Sequence, residues 1–134
     1  MTGLVLKLGP KERVLVNGAV VENGDRRSRL SILTPNANIL RLKDAIHPDA
    51  ATTPVRRVCY AVQLVLSGDS DAVETRLSLV RRIEELGQVF RDPESQTCLA
   101  SATEALLEDQ HYQCLKSLRM LLPRENQLLA RGVA

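Results

Sequence analysis

Thr53-Pro54-Val55-Arg56-Arg57-Val58-Cys59-Tyr60-Ala61-Val62-Gln63-Leu64-Val65-Leu66 is the stretch in which the chain changes its hydrophobic period. Thr53 suits a helix N-cap, and Pro54 suits the first helical position, where its missing N–H would have been unpaired in any residue. Val55, Val58, Cys59, Val62 and Leu66 then recur at spacings of three and four until Ser67-Gly68-Asp69 stops the run. A helix therefore starts at this point, and the residues on its two sides obey different patterns.

Upstream the segments are short and rich in branched side chains, as strands are. Residues 4–8 and 12–17 flank Gly9-Pro10; Asn17-Gly18 leads into Ala19-Val20-Val21; Asn23-Gly24 precedes an alternating run around Leu30 and Ile32; and Thr34-Pro35-Asn36 turns the chain into residues 38–42. Turn dipeptides this close together leave no room for a helix and fold the chain back repeatedly. The expected product is antiparallel, with an apolar face of Leu6, Val14, Val16, Val20, Leu30, Ile32 and Ile39.

Downstream the helical period persists. Asp71 with Glu74 has a capping-box pattern ahead of a stripe formed by Val73, Leu77, Val80, Ile83, Leu86 and Phe90. Asp92-Pro93 repeats the cap-and-proline device before Leu99, Ala102 and Leu106. Tyr112, Leu115, Leu118 and Leu122 define a further face up to Pro123, and a short last helix over 124–131 is expected to turn Leu128 and Leu129 inward. The chain thus reads as α+β, an N-terminal antiparallel β meander or small curled sheet packed against a C-terminal bundle of about four helices. The expected division is a β lobe with a basic hairpin over 1–50 and a helical lobe over 51–134.

With 134 residues, 44% of them hydrophobic and 25% charged, the chain can bury one core or two small connected ones. It has no Trp, one Phe and two Tyr, so the core is aliphatic and the composition argues against an aromatic stacking platform for single-stranded nucleic acid or sugars. No apolar run approaches the roughly 20 residues of a membrane helix, and residues 1–8 are too short for a signal peptide, so the expected location is cytoplasmic, with no membrane partner. Cys59, Cys98 and Cys114 are odd in number and widely spaced, which reads as reduced thiols rather than a disulfide framework.

Catalytic patterns are missing. His47 and His111 are the only histidines, and no paired-carboxylate, CxxC, HExxH or phosphate-loop spacing occurs. His111 and Cys114, three apart on one helix, lack a second ligand pair and read as a half-buried His beside a core Cys. His47, ahead of Pro48 in a polar loop, reads as an exposed side chain. An enzyme, a metal site and a cofactor are all disfavoured.

What stands out is charge. Residues 1–60 hold ten bases against five acids, whereas the rest holds eight against eleven, so a formal net charge of +2 conceals a dipolar distribution. Arg26, Arg27 and Arg29 follow the Asn23-Gly24 turn, with Arg27 and Arg29 on one face of the emerging strand; Arg41 and Lys43 share the same alternation on another strand. Arginine supplies a rigid donor fork, and two such rows would reach successive phosphates or a folded RNA edge. If Glu22, Asp25 and Asp44 pair with these bases, the surface is instead an ordinary solvated face. Arg56 and Arg57 form a second basic patch in the first turn of the helix, where they oppose its dipole.

The run Asn17-Gly18-Ala19-Val20-Val21-Glu22-Asn23-Gly24-Asp25-Arg26-Arg27, then Thr53-Pro54-Val55-Arg56 with Tyr60, then Tyr112-Gln113-Cys114-Leu115-Lys116-Ser117-Leu118-Arg119 with Leu122-Pro123 and Glu125, resembles the FlbT family of flagellin regulators from Leu4 to about Leu129. The resemblance implies post-transcriptional control: association with the 5′ untranslated leader of flagellin mRNA, repression of translation or promotion of decay, and action together with a FlaF-like protein. It supplies no set of RNA contacts, so the expected interface, Arg26, Arg27, Arg29, Arg41, Lys43, Arg56 and Arg57, rests on the charge and strand argument. A competing expectation is a protein–protein adaptor for FlaF or flagellin. It would use the apolar cluster Leu118, Met120, Leu121 and Leu122, with indirect effects on RNA and the option of a homo-oligomer.

Overall fold

The computed structural model describes residues 4–132, so the extreme ends of the two expected lobes, 1–3 and 133–134, lie outside the described residues. Five strands, β1 (Leu4–Leu8), β2 (Arg13–Val16), β3 (Ala19–Glu22), β4 (Ser28–Ile32) and β5 (Ile39–Arg41), precede five helices, α1 (Pro54–Leu66), α2 (Ala72–Val89), α3 (Pro93–Leu107), α4 (His111–Arg119) and α5 (Leu122–Ala130). Antiparallel sheet packed against a helical bundle is the α+β arrangement expected.

The pairing order is not that of a simple meander. β1 pairs with β4 as a two-stranded ribbon, while β2 lies between β3 and β5 in a separate three-stranded sheet. The Gly9–Glu12 segment explains the split. It does not close a hairpin between β1 and β2 but is tied to the Asn23-Gly24 loop, Lys11 N–H donating to Gly24 O (2.9 Å) and Asn23 N–H to Glu12 O (2.8 Å). Between β2 and β3, Asn17 and Gly18 both have positive φ (46° and 87°), the geometry of a two-residue hairpin whose twist matches its strands.

Strand alternation then builds layers. Val14 and Ile39 enter a small core with Leu6 and Leu8 of the ribbon, whereas their chain neighbours Leu15 and Leu40 turn the other way into the helical core. The three-stranded sheet is therefore a middle layer, covered by the ribbon on one face and the helices on the other. Tyr112 of α4 packs against both cores, and the Gln63 side chain pins the connection into α1 by bonding both Ile46 N–H (2.7 Å) and Ile46 O (3.0 Å).

The caps read from sequence are present: Thr53 Oγ1 accepts from Arg56 N–H (3.3 Å), Asp71 from Glu74 N–H (2.9 Å) and Asp92 from Ser95 N–H (3.1 Å). Three face assignments change. Val20 is 61% exposed because β3 overhangs the covered part of its sheet as an edge strand. On α2 the buried stripe is Leu79, Ile83, Leu86 and the following Phe90, and Val73 and Leu77 face solvent. At 100° per residue, Leu77 lies about 160° and Val73 about 120° around the helix from Leu79. Leu129 is also exposed, leaving the half-buried Leu128 to pack α5 inward.

Candidate nucleic-acid interface

An open groove of about 510 Å³ runs along the ribbon and is lined by Lys7, Leu8, Gly9, Glu12, Arg27, Ser28, Arg29 and Lys43. Three of the residues expected from sequence, Arg27, Arg29 and Lys43, meet here, together with Lys7, which sequence patterning did not single out. Lys7 of β1 is the direct cross-strand partner of Arg29 on β4. Two like charges opposite one another destabilise a ribbon. A single Lys in an apolar strand carries no hint of this, because the β1–β4 register is a long-range choice.

The loop that presents the arginines is ordered by Asn23. Its side-chain amide donates to Gly9 O (2.7 Å) and Arg26 O (2.9 Å), and its Oδ1 accepts from Ser28 Oγ (2.7 Å), so one side chain joins the first turn, the arginine loop and the start of β4. Lys43 is not on a strand as the alternation implied. β5 ends at Arg41, and Lys43 lies in a 3-10 turn, Leu42–Asp44. Arg119 of α4 holds that turn through Asp44 O (3.1 Å) and Asp44 Oδ1 (3.4 Å).

Glu12, in the lining, lies 4.0 Å from Lys43, and the other neighbouring acids are engaged elsewhere. Asp25 pairs with Lys11 (3.0 Å), Glu22 with Arg13 (2.9 Å) and Asp44 with Arg119. Among the described residues no carboxylate lies within ion-pair distance of Arg27 or Arg29, so the partners a solvated ion-paired face would need are taken.

Arg41 differs from the expected contact. Its side chain is 16% exposed and does not line the groove. Its Nε and Nη2 donate to Glu12 Oε2 (2.7 Å) and Oε1 (2.9 Å), and Nη2 also reaches Lys7 O (2.5 Å). This hydrogen bonding holds the Glu12 carboxyl down to about 2, against the burial that would raise it. Arg26 is exposed but lies outside the groove lining. Arg56 and Arg57 belong to another joint: Arg56 reaches Asn126 Oδ1 of α5 (3.4 Å), and Arg57 donates to Thr52 O (3.1 Å).

The expected apolar docking cluster disperses. Leu118 and Leu121 are buried in the helical core, Leu122 packs partly against it, and of the four only Met120 is exposed, because α4 ends at Arg119 and the chain turns before α5. His47 caps a short turn, its Nδ1 accepting from Asp49 N–H (3.1 Å). Cys59 and Cys114 are buried, and desolvation pushes both thiols up to about 12, so they stay protonated core groups.

Comparison with known proteins places this sequence in a family. The model of the flagellar protein FlbT matches residues 4–129. The chain is 36% identical to the probable flagellum biosynthesis repressor protein FlbT of Caulobacter sp. strain K31 over 126 residues, covering 94% of this chain and 95% of that one. The flagellum biosynthesis repressor protein FlbT of Caulobacter vibrioides strain ATCC 19089 is 35% identical over 127 residues, with 94% and 89% covered. The Rhodopseudomonas palustris strain TIE-1 relative is 31% identical over 130 residues, with 96% and 98% covered. No solved structure matches. A family match running from the start of β1 nearly to the end of α5, with relatives covered over most of their length, establishes that this chain belongs to the FlbT family of flagellar proteins.

Proposed function

We propose that the chain is a post-transcriptional regulator that binds the 5′ untranslated leader of flagellin mRNA in the ribbon groove and represses translation or promotes decay. The observation that carries this reading is the convergence of Lys7, Arg27, Arg29 and Lys43 on one surface whose nearby acids are already paired. A polyanion relieves the Lys7–Arg29 repulsion and releases counterions as it binds. The lining holds no aromatic side chain, so recognition runs through phosphates and ribose hydroxyls of a structured leader rather than through base stacking. Occupancy would then mask the ribosome site or alter nuclease access. The names of the relatives, flagellum biosynthesis repressors, agree in direction.

Filter binding of the flagellin leader across a salt series tests the reading. Replacing Arg27, Arg29 and Lys43 with alanine should weaken binding and make the log–log salt slope shallower by about 2–3, at roughly 0.7–0.9 per phosphate contact from single-stranded to helical parts of the leader. The three side chains are exposed and the loss of Arg29 removes the Lys7–Arg29 repulsion, so the melting temperature should not fall. An unchanged affinity and slope in the triple variant reject the groove as the RNA site.

A further inference from the structure

The groove has a feature its own basic residues do not explain: an acid in its wall. Glu12 lines it among phosphate-binding candidates, 4.0 Å from Lys43 Nζ, where an uncompensated carboxylate would repel the ligand. Arg41 covers that carboxylate with two donors and uses the same Nη2 to hold Lys7 O. Glu12 Oε1 in turn accepts from Gly9 N–H at 3.0 Å. One ion pair thus ties β5, the Gly9–Glu12 turn and β1 together. Lys43 follows Arg41 by two residues, and Lys7 faces Arg29 across the ribbon.

We infer that Glu12 and Arg41 are positioning residues of the RNA groove, Arg41 acting by neutralising Glu12 and fixing the Lys7 strand against the Lys43 turn rather than by touching RNA. The inference rests on the proposed RNA reading for its functional meaning. Its geometry does not. Arg41 lies outside the lining and is nearly covered, whereas Glu12, the residue it neutralises, lies inside. Residues sharing one ion-pair network show coupling that separates such a role from a direct contact.

The experiment is a double-mutant cycle read by leader binding across salt. Arg41→Gln should lower affinity about tenfold, the scale on which residues in one network couple. The Glu12→Gln, Arg41→Gln double variant should bind measurably more tightly than Arg41→Gln, regaining the part of the loss caused by the stranded carboxylate, with the wild-type salt slope because no phosphate contact is missing. A double variant as weak as Arg41→Gln, with a slope shallower by about 0.7, would show direct phosphate contact and overturn the inference. Arg41→Lys keeps the charge but cannot make the three-way fork, so it should also bind more weakly; full affinity in that variant overturns the inference too. Amide hydrogen exchange without RNA gives an independent arm. The β1–β4 ladder should exchange faster in Arg41→Gln, and unchanged protection there defeats the positioning role even if the wild-type protein binds no RNA. Failure of the wild type to bind the leader would instead defeat the proposed function.

Discussion

Glu12 and His111 respond to acid in different windows, and each response has a local cause. Arg41 holds the Glu12 carboxyl at about 2, below its ordinary 4.5, so the native state binds this proton less readily than the unfolded chain. Its stabilisation is complete above about pH 4.5 and is lost as pH falls toward 2. His111 is buried, its Nε2 has no hydrogen-bond partner among the described residues, and desolvation lowers its pKa below 6.5. The unfolded chain therefore takes up this proton first, and stability falls as pH drops below about 6.5. Urea midpoints measured from pH 8 to 3 should show both declines. A His111→Leu variant should flatten only the decline that begins near pH 6.5, and a midpoint that still falls equally between pH 7 and 5.5 in that variant would assign the decline to another group.

At the scale of elements, α1 illustrates how a helix readable from sequence depends on a partner that is not. Its first turn carries Arg56 and Arg57 and no acid, an unfavourable pattern for the helix dipole. Glu125 of α5 supplies what is missing: it is buried, accepts from Val55 N–H at 2.8 Å, and also accepts the Thr53 hydroxyl. The placement of the two arginines thus needs no nucleic acid to account for it. Thr53→Ala should cost about 1 kcal/mol as the loss of a cap. Glu125→Ala strands buried donors at about 1–3 kcal/mol each and should cost more. Because the two side chains share one network, the double variant should lose less than the sum of the singles in urea denaturation. Strict additivity would mean that the two caps act independently.

For the whole molecule, the middle sheet decides whether the two cores behave as one. Ile39 and Leu40 are adjacent in β5 yet belong to different cores, as do Val14 and Leu15 of β2. Truncating either Ile39 or Leu40 to alanine should cost about 2–5 kcal/mol. Both losses should move a single transition seen together by far-UV circular dichroism and by exchange of helix amides, since neither core can open without disturbing the shared strands. Two separated transitions in either variant would show that the layers unfold independently.

Much of this was legible in the residues alone because its causes are local. Thr53-Pro54, Asp71 and Asp92-Pro93 announce helix starts, Asn17-Gly18 specifies a hairpin turn, and three- and four-residue spacing marks which segments are helical, all through contacts within a turn of the chain. The clustering of bases around Arg26–Arg29 was equally plain in the order of residues. Tertiary structure decided what depends on distant partners: that β1 joins β4 and sets Lys7 opposite Arg29, that Arg41 turns from the groove to Glu12, that Val73 and Leu77 face water while Leu118 does not, and that Glu125 closes the start of α1. Pairing register and burial are set by which surfaces meet across tens of residues, and a one-dimensional pattern records a residue's preference but not the neighbour that will satisfy it.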